Sequence, residues 1–155
     1  MSFVVTGLAP EPFAPLFGAD EATLAAAGAI RFRVDAKPGF PCRISLVDAE
    51  PGETVLLLNH EHQAVDTPYR ARHAIYVREA ADAPARFENC LPPALADRLL
   101  ALRAYDDRDM MIDADVIEGR DAIPLIERMM AAPGTAYLHA HNARRGCFAA
   151  RIDRV

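Results

Sequence analysis

The feature that most constrains this chain is a set of short segments in which apolar residues recur at every second position. Ile30, Phe32 and Val34 alternate with Arg31, Arg33 and Asp35. His73, Ile75 and Val77 alternate with Arg72, Ala74, Tyr76 and Arg78, and Ile112, Ala114 and Val116 with Met111, Asp113, Asp115 and Ile117. A period of two is a strand with one face on a core and one toward water. Thr54 to Leu58 is apolar on both phases, which predicts a strand covered on both faces and central in its sheet. Phe3–Thr6, Ile44–Val47, Thr135–His141 and Cys147–Asp153 read as further strands.

Helices are fewer. Asp20 is a good N-cap for a helix from Glu21 to about Ala27, stopped by Gly28. Pro93 suits a first helical position, and Leu95, Leu99 and Leu102 mark one face behind it, with a strand as the alternative for the end from Leu102 to Asp106. Asp121 caps a third helix whose inner face carries Ile123, Ile126, Met129 and Met130, with Pro124 in its first turn and Pro133-Gly134 at its end. Residues 80–89 read as an exposed connection. The strand–helix–strand order from Met111 to His141 implies one right-handed crossover. The expected fold is α+β: a mixed, mostly antiparallel sheet with two or three short helices mostly on one face, as a single domain over residues 1–155.

Net charge is −5 and the arginines are scattered among acids, so no basic stripe for nucleic acid is expected. The longest strongly apolar run, Val55 to Leu58, is far too short to span a membrane. Three widely spaced cysteines, Cys42, Cys90 and Cys147, make no disulfide framework and fit a reducing compartment. The start of the chain lacks a basic stretch followed by an apolar run, so no signal peptide is expected, and a cytoplasmic location is.

Chemistry concentrates between Tyr137 and Phe148, where His139, His141, Asn142, Arg144, Arg145 and Cys147 fall within twelve positions. His60/His62 and His139/His141 are two His-x-His elements. On a strand each pair points to one side, so four imidazoles could converge on zinc or a similar divalent metal, with Asp113 and Asp115 as added oxygen ligands. The bland alternative is that each pair marks a strand end bonded to backbone or water. Arg144-Arg145-Gly146 forms a turn suited to carboxylate or phosphate, with Arg43 and Arg70 in other loops; for Arg70 alone simple exposure is the better reading. Cys42, beside Arg43 and Lys37, could pair with His141 or His60 as nucleophile and base. Cys147 reads as core, Cys90 as incidental, and His73 as a satisfied buried histidine. Asp106, Asp107 and Asp109 flank a turn without calcium-loop spacing. No glycine-rich phosphate loop, dinucleotide fingerprint or Gly-x-Ser-x-Gly element is present.

Asp35-Ala36-Lys37-Pro38-Gly39-Phe40-Pro41-Cys42-Arg43, Leu57-Leu58-Asn59-His60-Glu61-His62-Gln63, Pro68-Tyr69-Arg70-Ala71 and the segment from His139 to Cys147 together resemble an uncharacterised bacterial family, domain of unknown function 1203. The resemblance implies a single bacterial domain and carries no activity or functional residues.

Three functional expectations follow. The first is a pocket for a small anionic ligand, lined by Arg43, His139, His141, Asn142, Arg144 and Arg145 and faced by the segments at Cys42 and His60. Any reaction there is unassigned, with Cys42 and His141 as the catalytic candidates. The second is a metal-binding protein using His60, His62, His139 and His141. The third is an interaction module presenting edge strands or Phe3, Phe13 and Phe17 to a partner.

Overall fold

A computed structural model of the chain describes residues 2–155. Nine strands and three helices run in the order β1 (Phe3–Thr6), α1 (Glu21–Ala26), β2 (Ile30–Arg33), β3 (Thr54–Gln63), β4 (Ala71–Arg78), β5 (Arg86–Glu88), α2 (Pro93–Ala96), β6 (Leu99–Tyr105), β7 (Met111–Glu118), α3 (Ala122–Ala131), β8 (Tyr137–Asn142) and β9 (Phe148–Arg154). The fold is α+β and mostly sheet.

The strands form two sheets where one was expected. Six make the order β5-β1-β9-β8-β6-β7, and three make β2-β3-β4; every strand pair in both is antiparallel. The apolar strand β3 is central only in the smaller sheet. The middle of the larger one is the carboxyl-terminal hairpin of β8 and β9. The connection through α3 carries the chain from β7 over β6 to β8.

Period-two alternation gives the large sheet two unlike faces. On one, Phe3, Val5, Leu100, Leu102, Ala104, Leu138, Ala140, Ala150 and Ile152 bury against Ala94 and Leu95 of α2 and Ile126, Met129 and Met130 of α3. These helices therefore cover one face. The other face carries Arg103, Tyr105, Tyr137, His139, His141 and Arg151. The small sheet packs Leu56, Leu58, Ile75 and Val77 against Phe13, Leu24, Ile44 and Cys42. Helix α1 belongs to this layer, and its Asp20 cap accepts from the Thr23 N–H at 2.8 Å.

Several local expectations are corrected. Residues 44–47 are turn, not strand, because Leu46 takes a φ of 56° and its N–H bonds back to the Cys42 carbonyl. The helix from Pro93 stops at Ala96, because Leu100 and Leu102 alternate on β6 between two strand partners. The connection over 80–89 contains β5, which pairs with β1. On β2 the apolar phase faces out: Ile30 is 55% exposed and Phe32 37%, while Arg31 turns toward Glu79. On β7 Ile112 and Val116 are likewise exposed, and Asp113 and Asp115 meet Arg128 of α3.

Gly119 shows how tightly the helical layer closes. A Cβ there would collide with the Leu95 carbonyl oxygen and crowd those of Ala96 and Arg98. Gly52 has a φ of 93° but open space around it. Gly52→Ala should therefore cost about 1–2 kcal/mol, from backbone strain alone. Gly119→Ala should cost about 3 kcal/mol or more, because backbone must move. Equal urea midpoints for the two variants would contradict this packing.

Candidate functional site

Two polar assemblies lie where the small sheet meets the large one. The first is a cleft of about 540 Å³. Arg43, His73, Arg98, Asn142, Arg144, Arg145 and Cys147 are among its lining residues, with the carboxylates of Asp97 and Glu118. Arg43 lies in the turn between β2 and β3, anchored by its N–H to the Tyr76 carbonyl at 3.0 Å. Its side chain crosses to the large sheet. Nε donates to the Phe148 carbonyl at 2.7 Å, Nη1 to the Pro41 carbonyl at 2.5 Å and Nη2 to Cys147 Sγ at 3.0 Å. The residue is 3% exposed and has no carboxylate partner among the described ion pairs. Burial pulls its pKa down from the usual arginine range, opposed by the nearby sulfurs of Cys147 and Cys42. A guanidinium stays charged even so, and its fork has five donors, of which these bonds use three.

The other cleft arginines differ. Arg98 is held by both Asp48 oxygens, at 2.8 and 2.7 Å. Arg144 and Arg145 sit exposed on the β8–β9 turn. That turn is closed by Gly146, whose φ of 80° suits glycine and whose N–H donates to the Asn142 carbonyl at 2.7 Å. Asn142 Nδ2 points at Cys147 Sγ at 3.5 Å, and its Oδ1 is buried without a partner.

The second assembly is a cluster of rings between the sheets. His62 comes from the end of β3, and His139 and His141 from β8. The His62 ring centre lies 5.1 Å from that of His141 and 6.2 Å from that of His139; the latter two are 6.2 Å apart. Phe148 stacks on His62 at 5.3 Å and meets the other two edge-on. His141 Nδ1 lies 3.0 Å from the Gly146 carbonyl. A carbonyl only accepts, so Nδ1 carries the proton and Nε2 is left with its lone pair. His62 Nδ1, His139 Nδ1 and His141 Nε2 are all buried without partners. Burial is the largest cause that lowers all three pKa values, to about 4 for His62 and about 3 for His139 and His141. The charge of Arg103 adds to it. Arg103 stands directly across from His139 in the strand register, with Arg151 on the other side. As the rings stand, no three histidine, cysteine or acidic side chains among the described residues are set to hold a metal ion.

The single expected pocket is thus two sites. Arg43, Asn142, Arg144 and Arg145 line the cleft. His139 and His141 lie in the ring cluster and join it to the cleft through Gly146. His60 lies at the edge of the cluster, its ring 5.6 Å from Phe13 and 6.5 Å from Phe148, and among the described residues no ring contact joins it to His62, His139 or His141. Asp113 and Asp115 lie on the helix side with Arg128, away from the histidines. Cys42 is fully buried in the small-sheet core, its sulfur accepting the N–H groups of Ile44, Ser45 and Arg78 at 3.3–3.4 Å, and it does not line the cleft. Cys147 is buried as expected but faces polar donors, and His73 is half-buried on the cleft wall, not sealed in the core. Cys90 is exposed and all three thiols are free. Arg103 had no sequence signal, because only cross-strand register brings it beside His139.

A family model described as "Protein of unknown function (DUF1203)" matches residues 39–154. The chain belongs to that family. All the cleft and ring-cluster residues fall inside the matched region. No curated protein and no solved structure matches the chain. Among the described residues no helix is long and apolar enough to cross a membrane.

The ring cluster makes stability depend on pH. In the fold these imidazoles resist protonation, whereas in the unfolded chain they take protons near pH 6.5. The unfolded state therefore binds more protons between about pH 6.5 and about pH 3, and stability falls as pH drops through that window. Each unit of difference corresponds to about 1.4 kcal/mol per group. In chelator-treated protein the Tm should fall steeply from pH 7 to 4.5, and less steeply in His139→Gln. Parallel profiles would contradict the buried neutral imidazole.

Proposed function

We propose that the cleft binds a small anionic molecule bearing a carboxylate or phosphate. The observation that carries this reading is Arg43: a buried guanidinium with spare donors and no carboxylate, lining an open cleft. An unpaired buried charge is costly, and an anion entering the cleft offsets it. Arg144 and Arg145 have no described ion-pair partner and stand at the rim, where they attract and clamp the same group. Asn142 and His73 add polar contacts that orient the rest of the ligand. Asp97 and Glu118 in the cleft lining limit the negative charge the ligand carries, or meet a positive group on it. A cleft of this volume suits a metabolite-sized ligand and not a nucleic acid. We place the protein in the cytoplasm, where three free thiols are stable.

Thermal-shift and calorimetric titration with inorganic phosphate, citrate and short dicarboxylates tests the reading. At least one anion should raise the Tm saturably, more at low salt. Arg144→Ala/Arg145→Ala should weaken that anion about tenfold to a hundredfold, the loss expected for one or two charge-assisted hydrogen bonds. No saturable shift with any of them, or an undiminished one in the double variant, would overturn it.

A further inference from the structure

We propose that His62, His139 and His141 form a binding site for a borderline transition-metal dication of the zinc, copper, nickel or cobalt class, separate from the anion cleft. Five buried side-chain nitrogen or oxygen atoms lack a hydrogen-bond partner among the described residues, and three of them are one nitrogen from each of these rings. His139 and His141 are 2% and 1% exposed. Leaving a buried polar atom unpaired costs about 1–3 kcal/mol. With Nδ1 of His62 and of His139 unprotonated, the three orphaned nitrogens present three lone pairs, and a single metal ion that takes them removes all three deficits.

The chemistry of the donors agrees. His141 is anchored through Nδ1 to the Gly146 carbonyl, which fixes the tautomer and leaves Nε2 to ligate, the arrangement usual for metal-bound histidine. Three imidazoles without a carboxylate select zinc, copper, nickel or cobalt over magnesium or calcium.

The rings need a modest adjustment. Histidines sharing a metal at a nitrogen distance of about 2.0–2.1 Å have ring centres roughly 5 Å apart. The pair His62–His141 is already at 5.1 Å, while the two pairs at 6.2 Å must close. His139 and His141 share β8 and close by side-chain rotation, while His62 reaches them from the small sheet. Arg103 sits on the same face, and its charge disfavours a bare dication. His60 is not part of the set.

The test uses the full chain without a histidine tag, stripped by chelator and titrated with Zn²⁺ and Cu²⁺, with elemental analysis after desalting. One equivalent should be retained and the Tm should rise. His62→Gln, His139→Gln and His141→Gln should each weaken retention at least a hundredfold, and His60→Gln should not. Electron paramagnetic resonance of the Cu²⁺-loaded native chain should show coupling to three imidazole nitrogens, a readout that needs no variant. No retained metal, a spectrum with fewer nitrogens, or full retention in the His139 and His141 variants would overturn the proposal. Anion titration of the metal-free protein reports on the cleft independently.

Discussion

The guanidinium of Arg43 is the constraint on which the rest of the molecule depends. Its backbone is tied to the small sheet at Tyr76, and its side chain ends on Phe148 and Cys147 of the large sheet. One residue therefore pins the two sheets together and brings a fixed positive charge into the space between them. An apolar residue could pin the sheets more cheaply, because burying an unpaired ion works against folding. Arginine there makes sense when the charge has work to do, and the cleft in front of it is where that work is available.

The ring cluster is the second joint between the sheets and follows the same logic. His62, His139, His141 and Phe148 fill a space that leucines could fill. The imidazoles are neutral and partly unpaired, so they weaken the joint in acid and leave lone pairs without partners. The helical face of the large sheet, by contrast, is mainly apolar, with Asp113 and Asp115 of the edge strand β7 paired to Arg128. Stability is concentrated on one face of the sheet and polar chemistry on the other. Gly146 couples the two polar sites, since its carbonyl orients His141 while its backbone shapes the turn that carries Arg144 and Arg145.

Much of this was legible in the sequence because it follows from local rules. Asp20 capping α1 and the apolar stripe of α3 are read from a few adjacent residues. The same-side geometry of His139 and His141 needs only the period of a strand. The density of polar groups at strand ends pointed to Arg43, Asn142, Arg144 and Arg145, and all four line one cleft. The failures are non-local. Whether Ile30 and Phe32 face a core depends on what covers β2; the rings of Phe40 and Tyr76 reach Phe32, but both residues stay exposed. Leu99 and Leu102 fit a helix by spacing, but β7 and β8 claim that segment as a strand. The contact between Arg43 and Cys147 joins residues 104 positions apart, and Cys147 looked like core because its neighbours are apolar. Arg103 is invisible until the register of β6 and β8 is known.

Nitrogen–proton correlation spectroscopy of the arginine Nε–H groups addresses the central claim most directly. The Arg43 Nε–H is buried and bonded to the Phe148 carbonyl, so its resonance should be sharp and slow to exchange at neutral pH. During titration with an anion that raises the Tm, that resonance should shift saturably, with the same midpoint as the thermal stabilisation. An Arg43 signal that stays still while the protein is stabilised would mean that its charge is not what the cleft offers to a ligand.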